Sequence, residues 1–217
     1  MITRAAAAVL AAMAVLARPA APTEVFITLE GKGGETKPAV GIPGLLAEDT
    51  RSPQDALLAR TLQDVLRSDL LLSRYVRLSE GGPIFTGANL SEVAAAHKKA
   101  GAAWLLTGRA GIHGPQITLS LRLENLLSGE ASFERFYRQG TEFPRSLVHR
   151  AADDVVNALT GRQGISQSRI VFTGAQGGFK EIHVVDYDGA NHRRLTRHRS
   201  IALLPRFSPD RRWLAPS

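Results

Sequence analysis

The sequence predicts an α/β domain, a mixed sheet with helices, followed by the first blade of an all-β propeller. Three observations point there. Between residues 24 and 161, segments of alternating apolar residues are interleaved with three stretches whose apolar residues recur at helical spacing. After Gly161 the helical spacing stops, and RIVFTG, KEIHVVDYDG, HRRLT and RRWLA follow as short strands joined by turns. The helices are separated by strands without strict βα alternation, which favours a mixed sheet over a doubly wound parallel one.

The elements follow in order. MITR supplies a positive start, residues 5–17 an uninterrupted apolar run, and Arg18-Pro19 its stop. Thirteen apolar residues are short for a bilayer span and suit a secretory signal, so residues 1–21 are expected to direct export and be cleaved, after Ala17 or nearer Ala21. In TEVFITLE, Val25, Ile27 and Leu29 alternate as a half-buried strand, and a Gly/Lys loop comes next. PAVGIPGLLA reads as a short strand with an irregular end. Ser52-Pro53 opens a helix, with Asp55 placed for a capping box and Leu58, Leu62, Val65 and Leu66 on one face. Residues 75–80 alternate as a strand. Asn89 and Glu92 suggest a second capping box, on a helix that Gly101 ends. AAWLLTGRAGIHG is a strand, Ile117, Leu119, Leu121 and Leu123 share one face of the next, and residues 131–139 complete a meander. Pro144 starts a helix whose stripe is Leu147, Ala151, Val155 and Leu159, with Gly161 as its stop. The expected domains are therefore 22–161 and 165–217.

Composition narrows the chemistry. Hydrophobic content of 44% with 22% charged residues is that of a globular protein. With no cysteine, the chain builds no disulfide, thiolate nucleophile or iron–sulfur cluster. The formal charge is +7, and residues 162–217 hold ten Lys/Arg against four Asp/Glu. Those arginines lie on strands and turns without an aromatic ladder, so a solvated basic face is expected and no nucleic-acid partner.

IHVVDYDGANHRRLT resembles a calcium loop at first sight, through Asp186, Asp188 and Gly189. An EF-hand needs a closing glutamate and flanking helices; here the next acid is Asp210 and the flanks alternate as strands, so Asp-Gly reads as a hairpin turn. The six histidines show no helical i, i+4 metal pair, and His192 and His198 are expected to be exposed. GKGGETK lacks the first glycine of a P-loop, and no G-x-S-x-G is present. Glu48/Asp49 and Asp153/Asp154 read as solvated surface. No enzyme, metal or cofactor is expected.

RFSPDRRWLA adds a turn and a strand start of the kind that recurs once per propeller blade, with Phe207 as a core aromatic. With NALTG closing the last helix, SRIVFTG after it, and HVVDYDGANHRRLT running through LLPRFSPD behind a signal peptide, the chain resembles the TolB family of periplasmic Tol–Pal proteins. Arg211 departs from the glycine usual in that repeat. The resemblance implies a six-bladed propeller of which this chain holds about one blade, and hence a fragment of a longer protein. It also implies a monomeric, non-enzymatic periplasmic connector, peripheral to the envelope and not membrane-spanning, that links TolA at the inner membrane with the peptidoglycan-associated lipoprotein Pal and serves outer-membrane integrity and cell division. By position it makes Thr23, Glu24, Val25, Phe26, Ile27, Thr28 and Leu29 the TolA-facing candidate, an extended segment able to add to a partner's sheet or to pair within its own domain. It makes Ser200, Ile201, Ala202, Leu203, Leu204 and Pro205 the Pal-facing one. Two other readings stand beside it: the N-terminal part of an exported propeller-type serine peptidase, and a stand-alone exported α/β adaptor.

Overall fold

Strand β4 (Trp104–His113) organises the first part of the molecule, because its two faces feed two separate cores. The computed structural model describes residues 37–210 and 212–215. The expected signal segment, the strand at 23–29, the Gly/Lys loop before residue 37 and Arg211 lie outside the described residues.

Short strands β1 (Ala39–Gly41) and β2 (Leu45–Ala47) join β4 in parallel, β3 (Arg77–Ser79) pairs in parallel with β1, and β5 (Gln116–Asn125) and β6 (Ala131–Gly140) continue the sheet as an antiparallel meander. The order is β3-β1-β4-β5-β6, with β2 also on β4. This is the mixed sheet the sequence predicts. The irregular end expected after PAVG is a bulge. Gly41 opposes Leu105 and Leu45 opposes Gly108, so the β1–β2 side carries one residue more than β4, and Gly44 takes a positive φ there.

Helix α1 (Pro53–Ser73) begins as its sequence demands: the Ser52 hydroxyl accepts the Asp55 N–H at 3.2 Å, and proline sits in the first turn. The Asp55 carboxylate takes the Asp49 N–H at 3.2 Å, fixing the chain's entry into the helix. Helix α2 (Leu90–Lys99) corrects an expectation. Asn89 does not cap it: the Asn89 Oδ1 accepts from the Thr86 N–H and hydroxyl, and its Nδ2 donates to the Ile84 carbonyl. The amide is spent on the preceding turn. Helix α3 (Pro144–Thr160) ends at Gly161 in the left-handed conformation, whose N–H returns to the Asn157 carbonyl.

Helices α1 and α3 cover one face of the sheet. Leu62, Val65, Leu66 and Leu70 meet Leu147, Val148, Val155 and Val156 over Leu106, Leu119, Leu121 and Leu123. Each such leucine contributes about 1.5–3 kcal/mol by leaving water. Helix α2 lies on the other face, where Val93 packs with Leu105, Ala102 and Leu126. The adjacent residues Leu105 and Leu106 belong to different cores because successive strand side chains point to opposite faces.

After α3 the architecture changes to antiparallel strands. Strands β7 (Arg169–Gln176), β8 (Phe179–Asp186) and β9 (Arg193–Arg194) form one sheet, and β10 (Arg206–Phe207) pairs with β11 (Leu214–Ala215) across the Ser-Pro-Asp turn. The Arg169 guanidinium lies over the Phe207 ring at 5.8 Å and ties the two sheets. The α/β layer with a mixed sheet, then the opening strands of a propeller, is the fold class read from the sequence.

Candidate functional site

Helices α1 and α3 meet the β7–β9 sheet across a polar seam. Its centre is His149, buried on α3: Nδ1 lies 2.7 Å from Oδ2 of the fully buried Asp69 on α1, and Nε2 lies 3.9 Å from Asp188 Oδ2. Asp188 belongs to the loop after β8, and Arg145, one turn before His149 on α3, closes on it as an ion pair. Two buried carboxylates, one imidazole and one guanidinium therefore share a site, and each charge there depends on its neighbours. Tyr187 adds a hydroxyl bond of 2.7 Å to the Leu72 carbonyl near the end of α1, where helix carbonyls lack helical partners.

The chain between the sheets is held in the same way. The Asp153 carboxylate accepts the N–H groups of Ser166 (2.7 Å) and Gln167 (3.4 Å). Gly164 packs so close that a Cβ there would meet Asp153 Oδ1 at 2.3 Å. Asp154 takes the Tyr137 hydroxyl at 2.9 Å and pairs with Arg135, while Glu48 takes the Thr118 hydroxyl and bonds His113. The expectation of plain solvated surface fails for Asp153 and Asp154, which are half-buried, and holds for Glu48, which is exposed though hydrogen-bonded. Each carboxylate faces a donor brought from another element, which sequence neighbours do not reveal. The hydrogen bonds from His113 and Thr118 hold the Glu48 carboxyl below the ordinary range.

The turn at Asp186–Gly189 is a turn. The Gly189 N–H reaches the Asp186 carbonyl, the Asp186 N–H reaches the Ala190 carbonyl, and Gly189 has φ +87°. Donor atoms of Asp69, His149 and Asp188 do fall within 4.8 Å of one another. Asp69 Oδ1 and His149 Nε2 have no hydrogen-bond partner among the described residues, while the other donor atoms are engaged. Asp69 Oδ2 holds His149 Nδ1, and Asp188 holds Arg145 and the Ala190 N–H, so the described contacts form an ion-pair network. Beside it opens a cleft of about 920 Å³, into which α3's first turn, Arg169 and Arg193 face. His192, exposed as expected, stacks on the buried His183 at 5.0 Å between ring centres. Burial, then the His192 charge, keeps His183 below the ordinary imidazole range.

One signal in the sequence could have found the seam. Asp69 continues the buried stripe of Leu62, Val65 and Leu66, and an acid on such a stripe needs a buried partner.

Of the two predicted partner segments, residues 23–29 lie outside the described residues. Residues 200–205 form a pinned loop. Lys180 N–H donates to the Ser200 carbonyl, Ala202 N–H returns to the Lys180 carbonyl, and the Thr173 hydroxyl donates to the Ala202 carbonyl. Ala202 is buried, whereas Ile201 and Leu204 are 69% and 66% exposed. Leu204 sits at φ +48°, a conformation bulky residues rarely adopt. The loop is thus anchored at its middle and presents apolar side chains to solvent.

No family model matches the chain. Among curated relatives, it is 34% identical over 163 residues to the Tol-Pal system protein TolB of Geobacter sulfurreducens, covering 74% of this chain and 38% of that protein. It is 30% identical over 209 residues to the Tol-Pal system protein TolB of Cereibacter sphaeroides, covering 92% and 46%. The fold matches the crystal structure of TolB from Acinetobacter baumannii with a TM-score of 0.69 at 17% identity, over 86% of this chain and 45% of that one. The chain thus spans less than half the length of these relatives. With that sequence identity across most of its residues and that shared fold, the chain is a TolB-like protein.

Proposed function

We propose that the chain works as a non-enzymatic connector of the Tol–Pal system in the periplasm. In this reading residues 1–21 are a cleaved export signal, residues 22–161 an N-terminal domain, and residues 165–217 the opening of a propeller. Residues 23–29 engage TolA by adding an extended segment to its sheet. The loop 200–205 contributes to the surface that meets the lipoprotein Pal, and the link serves outer-membrane integrity and constriction at division. The protein acts as a monomer. No helix among the described residues is long and apolar enough to cross a membrane.

The observation that carries the reading is the loop at 200–205, with Ile201 and Leu204 held outward by a backbone that the β7–β8 hairpin pins. Exposed apolar side chains on a fixed backbone lose little entropy on docking. Calorimetry of the full chain against purified Pal and against the soluble part of TolA tests both ends. Leu204→Asp is expected to weaken Pal binding about tenfold, an effect of ~1.4 kcal/mol, with TolA binding unchanged. Deleting residues 22–30 is expected to do the reverse. Unchanged affinities in both variants would refute the assignment of the two surfaces.

A further inference from the structure

We propose that the crevice at the carboxyl ends of β1 and β3 binds a small oxyanion, a carboxylate or phosphate group, through Arg67, Ser79 and His97. The position comes from the topology. Beyond β1 the chain runs through β2 to α1 on one face of the sheet; beyond β3 it runs to α2 on the other. The two exits part and leave a gap between adjacent parallel strands, the place where open α/β sheets receive ligands. The gap is a cavity of about 180 Å³, lined among others by Pro43, Arg67, Ser79, Gly82 and His97.

Two of its walls are buried polar side chains with unspent hydrogen-bonding capacity. His97 is 2% exposed and Ser79 3%, and neither His97 Nδ1 nor Ser79 Oγ has a partner among the described residues. Buried polar groups are ordinarily paired, so two unpaired groups lining one cavity point to a ligand there. The ring is placed deliberately. A Cβ on Gly41 would stand 2.6 Å from His97 Nδ1, and one on Gly82, at φ +115°, would stand 3.3 Å from Nε2. Glycine at both positions lets the backbone close on the imidazole from two sides.

The charge selects the ligand. Arg67 reaches the crevice with Nη1 3.5 Å from the Ile42 carbonyl, and its Nη2 holds Glu80 Oε1 at 2.6 Å. Glu80 is mostly exposed, so a carboxylate already rests on this guanidinium from the solvent side. An incoming oxyanion takes the place of the Glu80 carboxylate, which returns to water, and receives further hydrogen bonds from the Ser79 hydroxyl and the His97 N–H. Burial keeps His97 below the ordinary imidazole range, so it enters as a neutral donor and leaves Arg67 as the charge that the ligand matches. The cavity holds the volume of about six waters, room for a carboxylate or phosphate head and not for a nucleotide. This site is independent of the partner surfaces proposed above.

The test is nuclear magnetic resonance of the full chain labelled with ¹⁵N, following the His97 imidazole while sodium acetate or inorganic phosphate is added at constant ionic strength. Saturable movement in the millimolar range with either anion is expected, and the arm that responds identifies the oxyanion. Glu80→Gln, which removes the competing carboxylate, is expected to tighten binding about threefold or more, while Ser79→Ala and Arg67→Gln weaken it about tenfold. Thermal melts check that these variants remain folded. An unmoved His97 resonance in both arms overturns the proposal, and so do equal affinities in wild type and all three variants.

Discussion

The α/β layer and the antiparallel strands after it are built from comparable sequence yet hold together differently. The first has two cores, one on each face of β4, and every long helix lies along one of them. The second buries only Ile182, Val184 and Ala202 among its described apolar residues, while Ile170 and Phe172 remain substantially exposed and Trp213 is 75% exposed. What fixes the second region to the first is polar: the Asp69–His149–Asp188–Arg145 network, the Asp153 cradle and the Tyr187 hydroxyl. A propeller sheet buries its faces against neighbouring blades, so a self-sufficient scaffold here carries a surface that depends on its neighbours.

The seam gives the sharpest way to break this contrast. Asp69→Ala removes the buried carboxylate that holds His149 and leaves the imidazole Nδ1 without a partner, and is expected to cost about 3–5 kcal/mol in urea unfolding. Matching deletions in the two regions should differ next. Leu66→Ala opens a cavity in the larger core and is expected to cost about 2–5 kcal/mol in global stability. Ile182→Ala removes similar bulk, but its effect should appear as faster amide exchange across 169–186 with little change in the melting of the helices.

Acidification probes both regions through their buried histidines. Burial lowers the His97 and His183 pKa values, so the unfolded chain takes up protons that the folded one refuses. Stability should be flat above neutrality and fall as pH drops below about 6.5, the ordinary imidazole value. Glu48 acts in a lower window. Its folded pKa is depressed, so its contribution is full above about 4.3 and lost as pH falls through the folded value. Urea midpoints between pH 2 and 8 check this, and His97→Gln should reduce the slope between pH 5 and 6.5. The smallest effect is local: Ser52→Ala removes the α1 cap and is expected to cost about 1 kcal/mol.

These differences explain what was legible in the sequence. The alternation of Ile117, Leu119, Leu121 and Leu123, the stripe of α3 and the Ser52 cap are local, and the structure keeps them. The bulge between β1 and β2 was visible only as an irregular end, because pairing with β4 sets it. Asn89 had the composition of a cap, but Thr86 and Ile84 claim its amide. The seam was the least legible. Asp153 and Asp188 have ordinary surface roles in their own segments and gain partners only when α3, the chain after it and the β8–β9 loop come together.

Hydrogen exchange of the full chain, alone and with saturating Pal, tests the central contrast most directly. The account predicts strong protection across 104–125 in both samples. It predicts weak protection across 169–207 in the chain alone, with a gain centred on 200–205 when Pal is added. Equal protection of both regions in the free chain, or no change at 200–205 with Pal, would contradict it.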